Sequence, residues 1–545
     1  MSLWIKNAKI ATMNDQLPEA SSAVIIGDFF AYVGDDAGAE AFLREHPQTE
    51  LRELDCGGRF VMPGINDTHM HYMHYCKAKM GADLSGCKSL AEVVERMEDF
   101  FQNRYDKNSG LWVTGEGWNQ DYFSDEKRFP TCEDLDKVTT EYPILIMRTC
   151  FHIGVLNSKA MELLGIDRES VVKYGEFADL LPNGDPNGVV KEMVLDAIKC
   201  ELPAPSLEQL LDKLVEYQTD LFEEGITSIH SDDFKYFPDG GAYIMMDRIK
   251  EASDRGVFKL RMAEQALMYD LKEMETFFDE YGWDDSFGSR KFKINTIKIL
   301  SDGSLGARTA YLRKPYADDP STRGLILFEP EVLDAMVLKA HENNMPVAIH
   351  AIGDAAIEIC LDAIEKAQKA LPHLHPRHGI VHCQITDKAL LKRFKDLGVQ
   401  AYIQPVFIDY DMHIVFDRVG DALGRTSYAW KTLIESGVPT SFGTDCPVEL
   451  HDPRRGLYCA ATGCDTNGRG PLWPDQVLSR EQTLYGYTAA GAYASGEEQV
   501  KGKIMPGMYA DFAIWDTDLL TCPAKEILTA QVLSTYINGE CVFSK

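Results

Sequence analysis

Met62-Pro-Gly-Ile-Asn-Asp-Thr-His-Met-His71 continues an apolar run, Phe60-Val-Met62, through a Pro63-Gly64 break and ends in His-x-His. Residues two apart in an extended strand share a face, so His69 and His71 would offer two imidazoles to one metal ion. A His-x-His pair also arises by chance, and His74 shows that the neighbourhood is simply His-rich. His74 falls past the strand end and is set aside. The pair gains meaning only if further ligands arrive at equivalent places downstream.

Eight apolar, β-rich runs alternate with longer helical patterns, which argues for βα units around a parallel sheet. They are Phe60 to Met62 leading into His69, Ile226 to His230, Phe258 to Ala263, Ile294 to Leu300, Val347 to His350, Ile380 to His382, Val399 to Ile403, and Thr440 to Asp445. Eight is the count of a closed (β/α)8 barrel of the TIM type, an α/β fold whose functional groups sit at the C-terminal strand ends. An open doubly wound sheet would want a glycine-rich phosphate loop after its first strand, and neither GxGxxG nor GxxxxGK[ST] occurs.

Reading off the strand ends gives His69 and His71, Lys298, His350, His382 and Asp445. Histidine plus carboxylate suits one or two divalent ions, Zn2+ foremost. Taken singly, His350 reads as a hydrogen-bonded core histidine and Asp445 as a turn cap; their coincidence at strand ends favours the joint metal reading. Lys298 is a lone cation inside Ile297-Lys-Ile299 on a buried strand, where an uncompensated charge is costly. Carboxylation by CO2 would make it an anionic oxygen ligand able to bridge two ions. The simpler alternative is an ion pair with a carboxylate such as Asp302.

Residues 1–60 carry short β-like runs and end at Cys56-Gly-Gly58, and residues 500–545 have the same character. Two half-sheets at opposite chain ends bury their apolar faces by pairing, so one composite β-sandwich is expected around a barrel spanning 61–499. The gap from 80 to 224 is too long for one βα connection. It is read as an insertion over the barrel mouth, with strands near 110–120 and 143–148 and a helix from Leu207 to Phe222.

A formal net charge of −30 disfavours nucleic acid and anionic lipid as partners. No stretch approaches the roughly 18 continuous apolar residues of a membrane span, and Met1 to Ile10 alternates like a strand and not like a secretion signal. Thirteen cysteines without a CxxC pair suit reduced thiols, so a cytoplasmic location is expected, with Cys56, Cys150, Cys383 and Cys446 as small core residues.

Further stretches bring a resemblance. Pro63 to His71, Ile297-Lys-Ile-Leu-Ser-Asp-Gly-Ser-Leu-Gly-Ala-Arg-Thr309, His350-Ala-Ile-Gly-Asp-Ala355, His382-Cys-Gln384, Gly443-Thr-Asp-Cys-Pro-Val448 and Met505-Pro-Gly-Met-Tyr-Ala-Asp-Phe512 resemble the metal-dependent amidohydrolase superfamily, in its amidohydrolase-3 or YtcJ-like branch. The insertion resembles it too, at Gly117-Trp-Asn-Gln120, Asn157-Ser-Lys-Ala160 and Asn183-Gly-Asp-Pro-Asn-Gly188. The resemblance implies that His69 and His71 bind one metal, His350 and His382 a second, that a carboxylated Lys298 bridges them, and that Asp445 binds metal and moves protons. Two positions depart from the branch: Cys150-Phe-His152, where Asp-Gly-His is common, and Cys446.

A metal that lowers the pKa of water to about 7 then makes hydrolysis of a C–N bond in a small molecule, through Asp445 as general base and acid, the expected reaction. The substrate is an amide, N-formyl or related compound; His152, Trp118, Gln120, His230, Asp302 and Arg308 are the expected substrate-binding residues, and a homodimer the expected assembly. Deamination of a cyclic or heteroaromatic amine would use the same centre. A catalytically silent scaffold would have lost ligands, and all six remain.

Overall fold

The computed structural model describes residues 2–148, 152–237, 241–283 and 287–545; Cys150 and the start of the departure at 150–152 lie outside the described residues. The chain divides into two compact units, Met1–Tyr72 with Leu214–Lys545, and Met73–Lys213.

The first unit holds an eight-stranded parallel sheet in sequential order: β1 Ile65–Met70, β2 Ile226–Ser231, β3 Arg261–Leu267, β4 Phe292–Leu300, β5 Val347–Ala351, β6 Gly379–His382, β7 Gln400–Ile403 and β8 Thr440–Phe442. The ring closes just beyond β8. Asp445 N donates to His69 O and His71 N to Cys446 O, each at 2.7 Å. Gly443 makes this approach possible, because a Cβ there would stand 2.5 Å from His69 N. The barrel expected from the strand count is therefore present. Its floor packs Ala348, Val381 and Tyr402 against Ala494, the last residue of the helix Ala489–Ala494.

Two expected strands move. Phe60–Pro63 is not part of the barrel; it pairs with Lys9–Ala11 on one side and Phe512–Trp515 on the other, and the chain enters β1 only after Gly64. A fully apolar run reads alike in either sheet, which is why the sequence pattern merged the two. The third strand runs from Arg261 to Leu267, later than the apolar run from Phe258 to Ala263, and carries Arg261, Glu264 and Gln265, all buried. The apolar run finds the strand but places it three to four residues early, because Glu264 and Gln265 interrupt the apolar pattern.

Both chain ends share the six-stranded sheet that runs Glu540–Ser544, Val532–Ile537, Phe512–Trp515, Phe60–Pro63, Lys9–Ala11, Glu19–Ala20. A second sheet of four N-terminal strands, Phe29–Gly34, Ser22–Ile26, Ser2–Lys6 and Leu51–Asp55, shares one apolar core with it through Ile5, Ile25, Phe30, Phe512 and Ile514.

The second unit is a six-stranded mixed sheet in which Val113–Trp118 lies parallel to Ile144–Arg148, covered by helix Leu90–Asn103. Ser89 caps that helix, its hydroxyl accepting from Glu92 N at 3.0 Å, and Val93, Met97 and Phe100 enter the core. Among the described residues no helix is long and apolar enough to cross a membrane. The twelve described cysteines are free, and Cys56, Cys383 and Cys446 are buried.

Candidate metal centre

His69 and His71 leave the end of β1, His382 ends β6, and Asp445 follows β8, so three strands aim imidazoles and a carboxylate at the C-terminal face of the barrel. Asp445 Oδ1 lies 3.4 Å from His69 Nε2 and 3.0 Å from His71 Nε2. His382 Nδ1 stands 4.0 Å from Asp445 Oδ2. Ligand atoms of His69, His382 and Asp445 all lie within 4.8 Å of one another, and all three residues are buried.

This donor set fits a divalent ion. Ligands about 2.1 Å from a tetrahedral centre stand about 3.4 Å apart, close to the two separations at Asp445. Among the described residues, Asp445 Oδ1 is also a buried atom with no hydrogen-bond partner despite its two imidazole neighbours. A carboxylate oxygen left in that state is costly unless a cation meets it.

Neighbouring groups fix the ligands. Asp232, one residue beyond β2, receives His71 Nδ1 in a short hydrogen bond and Lys298 Nζ at 2.7 Å. Gln404 Oε1 accepts from His382 Nδ1 at 2.7 Å, which turns Nε2 of that ring toward other partners. Asp67 Oδ1 accepts from His69 N at 3.2 Å and Thr444 N at 3.0 Å, tying β1 to the segment after β8. Burial pushes the Asp67 carboxyl up to about 7.

Charge is concentrated here. Burial pushes His69 down to about 4, and Lys298 nearby adds to this. Burial also acts downward on His71, but the Asp232 and Asp445 carboxylates outweigh it and hold the ring at about 10. Asp445 is raised by burial, yet His69 and His71 keep it well below the usual carboxylate range. Two buried carboxylates thus demand positive charge between them, from a proton on His71 or from a metal ion.

His350, at the end of β5, packs its ring 4.4 Å from that of His382, while its Nε2 lies 3.2 Å from Gly303 O. Lys298 meets Asp232 and not Asp302. Asp302 instead accepts from Tyr311 N, Ile352 N and Gly353 N at 2.9–3.0 Å, so it is a loop clamp with its oxygens engaged. Arg308 forks onto Asp318 at 2.9 and 3.1 Å. His230 is fully enclosed in the barrel, where burial and Lys501 push it down to about 3. In the second unit Trp118 is a core residue against Phe129, Gln120 Oε1 accepts from Arg148 Nε at 2.9 Å, and His152 is exposed and paired with Glu192 at 3.0 Å. Trp118 and His230 therefore present no open face to a ligand. Sequence reading missed Asp232, Asp67 and Gln404; the strand-end rule would have found Asp232 had the second strand been carried two residues past His230.

A closed parallel barrel with histidines and an aspartate converging at its C-terminal face defines a metal-dependent hydrolase architecture. The chain belongs to the amidohydrolase family, whose pattern it matches over residues 52–543. YtcJ of Bacillus subtilis (strain 168), provisionally named an amidohydrolase, is 30% identical over 93% of this chain and 93% of its own. The N-substituted formamide deformylase of Arthrobacter pascens is 24% identical over 98% and 97%. An uncharacterised metal-dependent hydrolase from Pyrococcus furiosus superposes with a TM-score of 0.76 at 28% identity, covering 96% of this chain and all of its own. The protein is thus an enzyme, a metal-dependent amidohydrolase acting on C–N bonds.

Proposed function

We propose that this amidohydrolase cleaves an amide or N-formyl C–N bond of a small molecule, with zinc held by His69, His71, His382 and Asp445. The observation that carries the reading is the unsatisfied Asp445 Oδ1 set between His69 Nε2 and His71 Nε2. The formamide deformylase named above supports the substrate class as a relative of similar length.

A divalent ion bound there supplies Lewis acidity and activates water at neutral pH. The chain's own residues do the rest. Asp445, ionised and buried, takes a proton on Oδ2, the oxygen 4.0 Å from His382 Nδ1, and returns it to the departing nitrogen. Gln404 and Asp232 hold the His382 and His71 rings in one orientation while this happens. The enclosed β1–β8 seam keeps Asp445 fixed relative to His69.

Incubation of the zinc-loaded enzyme with N-formyl, N-acyl and cyclic amide libraries, read by amine release, tests the proposal. N-formyl or N-acyl compounds should be turned over. Asp445→Asn should lower kcat by about 10²–10⁴-fold, the range for loss of a positioned general base. Turnover confined to ring deamination would overturn the substrate class, and an unchanged kcat in Asp445→Asn would overturn its proton-transfer role.

A further inference from the structure

Lys298, Asp232, His71 and Asp445 form an unbroken chain of charged contacts across the metal centre. Lys298 Nζ donates to Asp232 Oδ2 at 2.7 Å, with the side chains 0% and 1% exposed. Asp232 Oδ1 takes His71 Nδ1, and His71 Nε2 faces Asp445 Oδ1 at 3.0 Å. Each oxygen of Asp232 is thus committed to a different partner, one on β4 and one at the end of β1.

We infer that Asp232 is a positioning residue of this centre: it holds His71 Nε2 toward a single metal ion and fills, as the local anion, the place a carboxylated Lys298 would take. The inference rests on the reading of His69, His71 and Asp445 as metal ligands. Two physical arguments support it. A metal-bound imidazole is oriented by the acceptor on its other nitrogen, and here that acceptor is a carboxylate fully removed from water. A carbamate built on Lys298 would remove the cation that Asp232 meets at 2.7 Å and leave two neighbouring anions to be compensated by metal charge alone. With Asp232 in place, Lys298 is its counter-ion, and the imidazoles and Asp445 remain as the ligand set for one ion. His350 Nε2 lies between Gly303 O at 3.2 Å and Asp302 Oδ1 at 3.4 Å, so only its Nδ1 could turn to a metal.

The test begins with the wild-type enzyme loaded with zinc in 13C-bicarbonate. One zinc per chain and no carbamate resonance by 13C NMR are expected. Two zinc ions with a carbamate signal would overturn the inference while leaving the hydrolase reading intact; no bound zinc would overturn both. Asp232→Leu combined with Lys298→Met then removes both charges together, so no lone buried ion remains. In that variant, zinc affinity measured by competition with a chromophoric chelator should fall about 10- to 100-fold, the usual cost of losing such a partner. A folded double variant with wild-type zinc affinity would show that Asp232 only neutralises Lys298, and would overturn its positioning role. If the double variant fails to fold, the wild-type stoichiometry and NMR still decide between one ion and a carbamate-bridged pair.

Discussion

Gly443→Ala puts one methyl group into the seam that closes the barrel. The added Cβ would lie 2.5 Å from His69 N, 2.9 Å from His69 O and 2.9 Å from Asp67 Oδ1. Ordinary contact begins at 3.4 Å, so the two walls must part by about 0.9 Å. None of the three atoms can swing aside. Two belong to the backbone of β1, and the third is a buried carboxylate bonded to Thr444 N and Oγ1. Gly443 does not have a positive φ, so the cost is contact alone and not backbone strain. Overpacking of this kind costs about 1–3 kcal/mol, and stretching the flanking Asp445 N to His69 O bond adds about 1 kcal/mol. The expected loss is about 3 kcal/mol, or roughly a hundredfold in the folded-to-unfolded ratio. Urea-dependent unfolding rates measure it without requiring reversibility. Zinc affinity should fall as well, because the same displacement moves Asp445 relative to His69. Gly306→Ala is the control: its nearest neighbour would be Tyr410 at 3.7 Å, and it should be neutral. Unchanged unfolding rate and unchanged zinc affinity in Gly443→Ala would refute the claim that the seam sets ligand geometry.

Two further perturbations test buried polar structure. Arg261, enclosed at the start of β3, forks onto Asp511 and bonds Asn538; Arg261→Met should destabilise by about 3–5 kcal/mol by leaving Asp511 without its cation, and adding Asp511→Leu should restore most of it, both read from urea denaturation. His378 Nδ1 accepts from Val347 N at 3.1 Å, and its Nε2 donates to His341 Nδ1 at 2.8 Å, whose Nε2 in turn donates to Leu371 O at 3.2 Å, so the network fixes one hydrogen-bonding orientation for His378. Burial, then His341, pushes His378 down to about 3. The unfolded chain therefore binds the extra proton first, below about pH 6.5, and folded stability should fall as pH drops from there toward 3. His378→Asn should be less stable at pH 8 yet lose less on acidification; an equal acid loss in both proteins would rule out His378 as the source.

The barrel and the cluster of His69, His382 and Asp445 were legible because each leaves a local mark: apolar runs at βα spacing, and a histidine or aspartate at the run's end. What escaped was whatever the apolar pattern could not show. β3 carries Arg261, Glu264 and Gln265 in its interior, and Glu264, pushed well above the usual carboxyl range by burial, accepts from Asp233 N at 2.7 Å. The polar pair Glu264-Gln265 ends the apolar run at Ala263, so the last four residues of the strand fall outside the stretch the pattern marks. Asp232 escaped because its strand was ended at His230, and the partner of Lys298 was therefore sought at Asp302, four residues away in sequence. Nearness along the chain misled in that case: Asp302 is held by the amides of Tyr311, Ile352 and Gly353, while the true partner comes from a strand 66 residues earlier. Trp118 shows the same limit, since an aromatic beside glycine reads alike in a pocket and in a core.

Backbone conformation at the ligands adds a constraint that residue type alone does not carry. His382 has φ 78°, Cys383 φ 51° and Asp445 φ 63°, left-handed values that cost non-glycine residues about 1–3 kcal/mol each. These residues sit where β6 and β8 stop, and a regular strand would send alternate side chains away from the axis. The turn to positive φ at the strand end directs consecutive residues differently, so that His382 and Asp445 reach the centre while Cys383 packs back with its thiol on Ile380 O. The strain is held by bonds on both sides. Asp445 donates its N–H to His69 O and accepts from Val448 N at 2.8 Å, and the chain after His382 is pinned where Tyr428 N donates to Gln384 O at 2.9 Å. A ligand whose backbone is strained and anchored has little freedom to relax toward other geometries. The rigidity of the centre therefore comes from the barrel's strand ends as much as from the hydrogen bonds made by the rings themselves.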